Sequence, residues 1–200
     1  MCRPPRENAD MKLRPSIAAC MLALLPTALM AQVPMELLGG GNSANDGKMA
    51  NTPFYKGKEG IWVLSHKAVN DGYQCSVSFI TETASLKIAG PWDADMAKKG
   101  DGMLWFNSKD IPQVKAPKNV RVTFGNGLGN ADVGAYQIPG SDGQGGVFIL
   151  SLKFDSVLKD KSDTAQYTIG MDGKSMVDIK PIAVQAAYKR LKECMAVRVK

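Results

Sequence analysis

From Ile61 onward, short apolar runs alternate with turn residues at intervals of roughly 8 to 15 positions, which is typical of an antiparallel sheet. In the segment 73–80, Cys75, Val77 and Phe79 alternate with polar residues. A period of two places Cys75 on the buried face of a strand. Further strands are predicted at 61–64, 85–89, 103–106, 119–124, 135–138, 147–154, 166–169 and 175–179.

The last element has a different period. Val184, Ala187, Leu191 and Cys194 recur at helical spacing, and charged residues take the opposite positions. The sequence therefore predicts an amphipathic C-terminal helix over 181–195 whose apolar stripe contains Cys194. The predicted fold class is mainly β: an antiparallel β-sandwich or sheet with this helix packed on it, in a single β-rich domain over 61–200.

The segment 32–60 precedes the first predicted strand and is rich in glycine, asparagine and lysine. It contains too few apolar residues to offset the entropy of ordering it, so it is predicted to be a flexible leader.

Residues 1–31 have the order of features found in a bacterial signal peptide. Lys12 and Arg14 precede an apolar run over 17–30, and the small residue Ala31 follows. The run is shorter than the about 20 residues of a spanning helix and contains Pro26, so we expect cleavage and no transmembrane segment. Met11 is the expected start. The predicted location is therefore periplasmic or secreted.

Removal of the signal peptide changes both the net charge and the set of cysteines in the mature chain. The net charge is +6, and removal of residues 1–31 takes away four basic and two acidic residues and leaves +4. This mildly basic balance does not indicate nucleic-acid binding. Cys2 and Cys20 leave with the signal, so Cys75 and Cys194 remain to form one bridge in an oxidising compartment. Two buried free thiols are the alternative.

Motifs that carry catalytic or cofactor chemistry are weak. The glycine-rich segment 125–129 is followed by no helical pattern, and Ser156 and Lys159 have the Ser-x-x-Lys spacing without its companion motifs. His66 is the single histidine, which argues against most zinc and iron sites. The acidic residues at 93, 95 and 101 do not follow an EF-hand spacing. We expect no cofactor, no metal and no catalytic residue.

Two surface features predict partner contacts. Trp92 lies in a turn between Pro91 and Asp93, where it serves as a contact for a glycan or protein partner, or folds back over the sheet edge. A basic stretch follows it and suits an anionic envelope component or an acidic protein, with an ordinary solvated face as the alternative. The basic candidates for partner binding are Lys98, Lys99, Lys115, Lys118 and Arg121.

The layout of the chain also suggests a family. Trp62 lies in the first predicted strand, Cys75 in the next, and the closing helix ends near Cys194. This arrangement resembles the small exported proteobacterial proteins of the invasion-associated locus B type and related periplasmic proteins. The resemblance implies a β-sandwich-like periplasmic or surface protein, with no catalytic residues to carry over.

These features favour an exported, non-enzymatic binding or envelope-associated protein that interacts with a host or a surface. Two alternatives stay open. One is a periplasmic hydrolase that uses His66 with a serine, and the other is an inhibitor or immunity-type protein that blocks an exported enzyme.

Overall fold

A computed structural model describes residues 49–69, 72–141, 145–154 and 162–196. The predicted signal peptide 1–31 with its start at Met11, the leader residues 32–48 and the Ser156–Lys159 motif lie outside the described residues. Within the described ranges, the chain forms ten strands and two helices. They are β1 Ala50–Lys56, β2 Ile61–Val69, β3 Gly72–Ile80, β4 Ala84–Ala89, α1 Ala94–Lys99, β5 Asp101–Ser108, β6 Lys118–Gly125, β7 Asn130–Pro139, β8 Gly146–Lys153, β9 Tyr167–Met171, β10 Lys174–Ile179 and α2 Val184–Ala196.

All ten strands belong to one antiparallel sheet with the order β1-β2-β3-β4-β5-β8-β7-β6-β9-β10. The first five strands are neighbours in chain order, and β8, β7 and β6 then follow in reverse. The sheet curls, because β10 at one edge contacts β4 and β5 near the middle. The predicted fold class is confirmed: the protein is a mainly β, antiparallel sheet with a C-terminal helix packed on it.

The concave, inner face of the curled sheet holds the core. Phe79, Leu86, Phe106 and Phe148 form one cross-strand row over β3, β4, β5 and β8, and all four side chains are fully buried. Burial of each such side chain contributes about 1.5–3 kcal/mol. The row therefore fixes the order of the four central strands, and with it the residues that face outward between them.

Helix α2 closes one end of this core against β2 and β3. Its buried stripe includes Ala187, Tyr188, Leu191 and Cys194. Cys194 is joined to Cys75 of β3 by a disulfide bond of 1.97 Å, with the two Cα atoms 6.2 Å apart. The predicted pairing of these two cysteines is confirmed.

Helix α2 begins three residues later than predicted. Ile182 forms an isolated bridge with Thr164, and Ala183 has a positive φ of 55°, so neither residue is part of the helix. The backbone N–H of Val184 then donates to the carbonyl of Asp163 at 3.2 Å. Pro181 thus lies three residues before the helix and does not occupy its first turn.

Part of the predicted flexible leader is a strand. β1 lies at the sheet edge and pairs with β2 from Ala50 opposite His66 to Lys56 opposite Ile61. Most of its side chains are exposed. The low apolar content of the leader did not indicate this strand. Its position depends on backbone hydrogen bonds to β2 more than on buried side chains.

Candidate functional site

The face of the sheet opposite the core, here the outer face, carries an unusual row of side chains. Lys87 of β4 lies opposite Trp105 of β5, Trp105 opposite Ile149 of β8, and Ile149 opposite Tyr136 of β7. These residues face outward because their neighbours along each strand are buried on the inner face. At the usual strand spacing, Lys87 and Tyr136 are about 14 Å apart along the sheet.

Trp92 completes this surface from the loop between β4 and α1. Its ring lies 5.4 Å from the ring of Trp105 with an interplanar angle of 37°. The side-chain amide of Gln74 donates to the backbone carbonyl of Trp92 at 3.4 Å. The ring does fold back onto the sheet, yet Trp92 remains 46% exposed and Tyr136 is 44% exposed. We refer to Lys87, Trp92, Trp105, Tyr136 and Ile149 as the aromatic patch.

Helix α1, which the sequence patterns did not predict, anchors the loop on its far side. The Asp93 side chain caps the helix by accepting from the backbone N–H of Met96 at 2.8 Å. Gly100 ends the helix in the left-handed conformation, with φ of 66°. The chain then enters β5 directly, so the segment after Trp92 is held by a short capped helix that leads into the sheet.

Lys87 supplies a cation inside the aromatic patch. Its Nζ atom lies 5.2 Å from the centroid of the Trp105 ring, within the range of a cation–π contact. Burial lowers the pKa of Lys87 from its ordinary value of 10.5, because desolvation disfavours the charged form. An anionic group bound beside Lys87 would favour the charged amine and would gain from the reduced local screening.

The surroundings of the patch are more basic than acidic. Asp101 pairs with Lys153 at 2.5 Å, and the Asp132 carboxylate accepts from the Thr123 hydroxyl at 2.8 Å. Both acids are thus engaged by neighbours on the sheet. Among the described residues of β2 to β8, the outer face carries four basic and two acidic side chains, namely Lys67, Lys87, Arg121 and Lys153 with Asp101 and Asp132.

The predicted partner-binding residues are all exposed, but they do not form one surface. Lys98 and Lys99 lie in the last turn of α1, beside the start of β5, and Lys115 lies in the loop before β6. Lys118 and Arg121 belong to β6, three strand positions or about 14 Å from β5.

Arg121 faces outward opposite Gly134, two residues from Tyr136. Of the predicted residues, Trp92 is therefore part of the aromatic patch and Arg121 lies beside it on the outer face. Lys98 and Lys99 lie near the start of β5, and Lys115 and Lys118 near the start of β6. Because β5 and β6 run in opposite directions, the two pairs lie at opposite ends of the strands and not beside the patch.

His66, the candidate base of the hydrolase alternative, lies within β2, which extends to Val69 and so beyond the predicted strand end. It shares the inner-face register of Trp62 and Leu64, and its cross-strand neighbours are Ala50 of β1 and Cys75 of β3. Neither neighbour has a hydroxyl or a carboxylate. These two cross-strand neighbours therefore supply neither the serine nor the acid that the hydrolase alternative needs.

The part of the chain that the structure describes contains no group of three or more histidine, cysteine, aspartate or glutamate side chains placed to hold a metal ion. In the same residues, neither helix has the length and apolar character needed to cross a membrane. No protein-family model, curated protein or solved structure matches the chain.

Proposed function

We propose that this chain is an exported, non-enzymatic binding protein of the bacterial envelope, and that it binds an acidic glycan on the aromatic patch. The observation that carries the proposal is the exposed Trp92 ring, packed at 5.4 Å on Trp105 beside the Lys87 amine. Exposed tryptophan and tyrosine side chains that cluster with a cation mark interaction sites more often than solvated surface.

The shape of the patch favours a glycan. One face of a pyranose ring presents C–H groups and packs against an aromatic ring, while its hydroxyl groups need polar neighbours at the edge. Trp92 and Trp105 supply the rings, and Asn107, two residues beyond Trp105 on the same face, supplies a polar group. The row is about 14 Å long and continues past Tyr136 to the exposed Asn119, which suits an extended oligosaccharide lying across the strands.

The charge of the patch favours an acidic ligand. Lys87 lies within the row and Arg121 beside its Tyr136 end, so carboxylate or phosphate groups on a sugar chain would meet a cation at either end. Complementary charge also raises the association rate and makes it dependent on ionic strength. A neutral glycan of the same length would use the rings but would gain no charge attraction from the lysine and the arginine.

Export is the second part of the proposal, and two features support it. Residues 1–31 have a signal-peptide pattern, and the Cys75–Cys194 crosslink is of the kind that persists in an oxidising compartment. Intact mass spectrometry of the protein purified from the periplasm or medium should give the mass of a chain that begins at Gln32. Recovery from the cytoplasm with residues 11–31 still attached would contradict export.

Replacing Trp92 with alanine is expected to weaken binding of an oligogalacturonate by about tenfold or more, because the exposed ring supplies a large share of the contact. Isothermal titration calorimetry with the oxidised protein measures this change. A malto-oligosaccharide of equal length, which carries no acid, is expected to bind more weakly than the oligogalacturonate at low salt.

Leu128 provides the matched control, since it is an apolar side chain, 95% exposed, in the turn between β6 and β7. Leu128→Ala should bind the oligogalacturonate as the wild type does. Equal affinities of the wild type and Trp92→Ala, or no binding of the oligogalacturonate at all, would contradict a glycan site on the aromatic patch.

A further inference from the structure

The outer face of the sheet is exposed on one side and covered on the other. Arg121, at an outward position of β6, is exposed, as on an ordinary solvated face. On β2 and β3 the outward side chains are instead buried: Val63 is 5% exposed, Ser78 3% and Ile80 5%. Val63 is more deeply buried than Leu64, its neighbour on the inner face. Burial of this depth indicates that another part of the chain packs on the outer face of β2 and β3.

The described elements do not supply this cover. α2 contacts β2 and β3 from the inner face, where it is joined to Cys75, and α1 contacts β5. The loop that carries Trp92 contacts β3 at Gln74, four residues or about 13 Å along the strand from Ser78. The cover therefore comes from the chain outside the described residues.

Among those stretches, 32–48 is the one that enters the sheet beside β2, because it leads into β1. The stretches 142–144 and 155–161 adjoin β8, four strand positions or about 19 Å from β2. Residues 70–71 lie at the far end of β2, and 197–200 follow α2.

The distance to the covered side chains is short. Ala50 of β1 lies opposite His66, which is three residues or about 10 Å along β2 from Val63. The stretch 39–49 can span up to about 36 Å when extended, so an apolar run that precedes it can reach this face.

The composition of the segment matches the surface that it would cover. The residues at 33–38 are apolar apart from Glu36, and a glycine-rich stretch follows them. The buried hydroxyl groups of Ser65 and Ser78 have no hydrogen-bond partner among the described residues, which agrees with an apolar cover that offers no acceptor. Lys87 lies opposite Ser78, so a cation borders the covered area, and a carboxylate beside it would stabilise its charge.

We infer that the run 33–38 packs on the outer face of β2 and β3 and places the Glu36 carboxylate beside Lys87. The chain then carries its own acid at the position where the aromatic patch would receive an acidic group of a glycan. A ligand has to displace Glu36 from Lys87, so the segment lowers the affinity for acidic ligands. As a statement about affinity this inference rests on the proposed function, whereas packing of the segment can be measured without a ligand.

The packing is tested by nuclear magnetic resonance on the oxidised mature chain 32–200 without ligand. Methyl–methyl Overhauser effects are expected between Val63 or Ile80 and at least one of Leu37 and Leu38. In Leu37→Ser/Leu38→Ser the methyl signals of Val63 and Ile80 should move, whereas Leu128→Ser, at a position 95% exposed, should leave them in place. Absence of every such Overhauser effect in the wild type would overturn the inference.

Glu36→Gln tests the contact with Lys87. Loss of the carboxylate should lower the pKa of Lys87 further, because burial is then no longer offset by an opposite charge. Asp46→Asn is the matched control, since it removes an acid of the same segment outside the apolar run, and it should leave this pKa unchanged. Titration of the lysine side-chain resonances measures both. Equal pKa values of Lys87 in the two variants would contradict the placement of Glu36.

The same two variants separate this inference from the proposed function. At low salt Glu36→Gln should bind the oligogalacturonate about tenfold more tightly than Asp46→Asn. Equal affinities would contradict competition between the segment and the ligand. If the Overhauser effects and the pKa change are found while no variant binds the oligogalacturonate, then the segment does pack beside Lys87, and it is the proposed glycan function that fails.

Discussion

Loss of the Cys75–Cys194 bond is expected to lower the free energy of unfolding by about 2–5 kcal/mol. The bond joins residues separated by 119 positions, so the unfolded chain loses much of its freedom when the loop is closed. Because the bond also ties α2 to β3, the helix should be the first element to fray when it is removed. Urea denaturation of Cys75→Ser/Cys194→Ser, compared with the oxidised wild type, measures the change.

The reduced wild-type protein is the matched control, because it lacks the bond and keeps both sulfur atoms. It should unfold at nearly the same urea concentration as the double variant, which would separate the effect of the crosslink from that of burying two hydroxyl groups. Equal stability of the oxidised and reduced proteins would contradict a role for the bond in holding the fold.

The second large effect is expected at Trp62, where alanine should lower the free energy of unfolding by about 3–5 kcal/mol. The side chain is fully buried and packs against Phe79 at 5.2 Å and Phe54 at 6.4 Å. Its indole N–H also donates to the carbonyl of Ile182 at 2.6 Å, which ties β2 to the segment that leads into α2. Chemical denaturation followed by far-ultraviolet circular dichroism is the measurement.

Trp62→Phe separates the two contributions, since it keeps an aromatic ring in the core and removes the N–H donor. A loss of about 1–3 kcal/mol is expected, from the unpaired carbonyl of Ile182 together with the reduced volume. Trp92→Ala, at an exposed position, should change stability by about 0.5 kcal/mol or less. A Trp62→Ala variant no less stable than Trp92→Ala would contradict the place of Trp62 in the core.

The elements with a clear apolar period could be predicted from the chain. Val120, Val122 and Phe124 alternate with polar residues in β6, and Leu191 and Cys194 continue the helical stripe of α2. These patterns are local, because the same face of one element meets the core throughout its length. The crosslink was predictable for a similar reason: each cysteine lies on the apolar side of its own element.

Elements without a buried side were missed. β1 falls within the predicted flexible leader, because its side chains are mostly exposed and its order comes from pairing with β2. α1 has six residues and no buried side chain. Its boundaries were nevertheless present in the sequence as the capping residues Asp93 and Gly100, which stabilise a short helix without contributing to the apolar pattern.

Of the residues of the aromatic patch, Trp92 alone could be predicted from the sequence. Trp92 stood out because a tryptophan in a turn has no place in a strand core. Lys87, Trp105, Ile149 and Tyr136 gave no such signal, since each occupies an ordinary outward position in its own strand. They meet because β8 and β7 follow β5 in the sheet, and this order depends on long-range packing of the core row.

The most direct test of the central claim uses the three indole N–H resonances of the protein, one for each tryptophan. In nitrogen-15 correlation spectra recorded during titration with the oligogalacturonate, the signals of Trp92 and Trp105 should move with a common dissociation constant. The signal of Trp62, whose N–H is bonded to Ile182 within the core, should stay in place. Stationary Trp92 and Trp105 signals at saturating ligand, or a shift confined to Trp62, would contradict a glycan site on the aromatic patch.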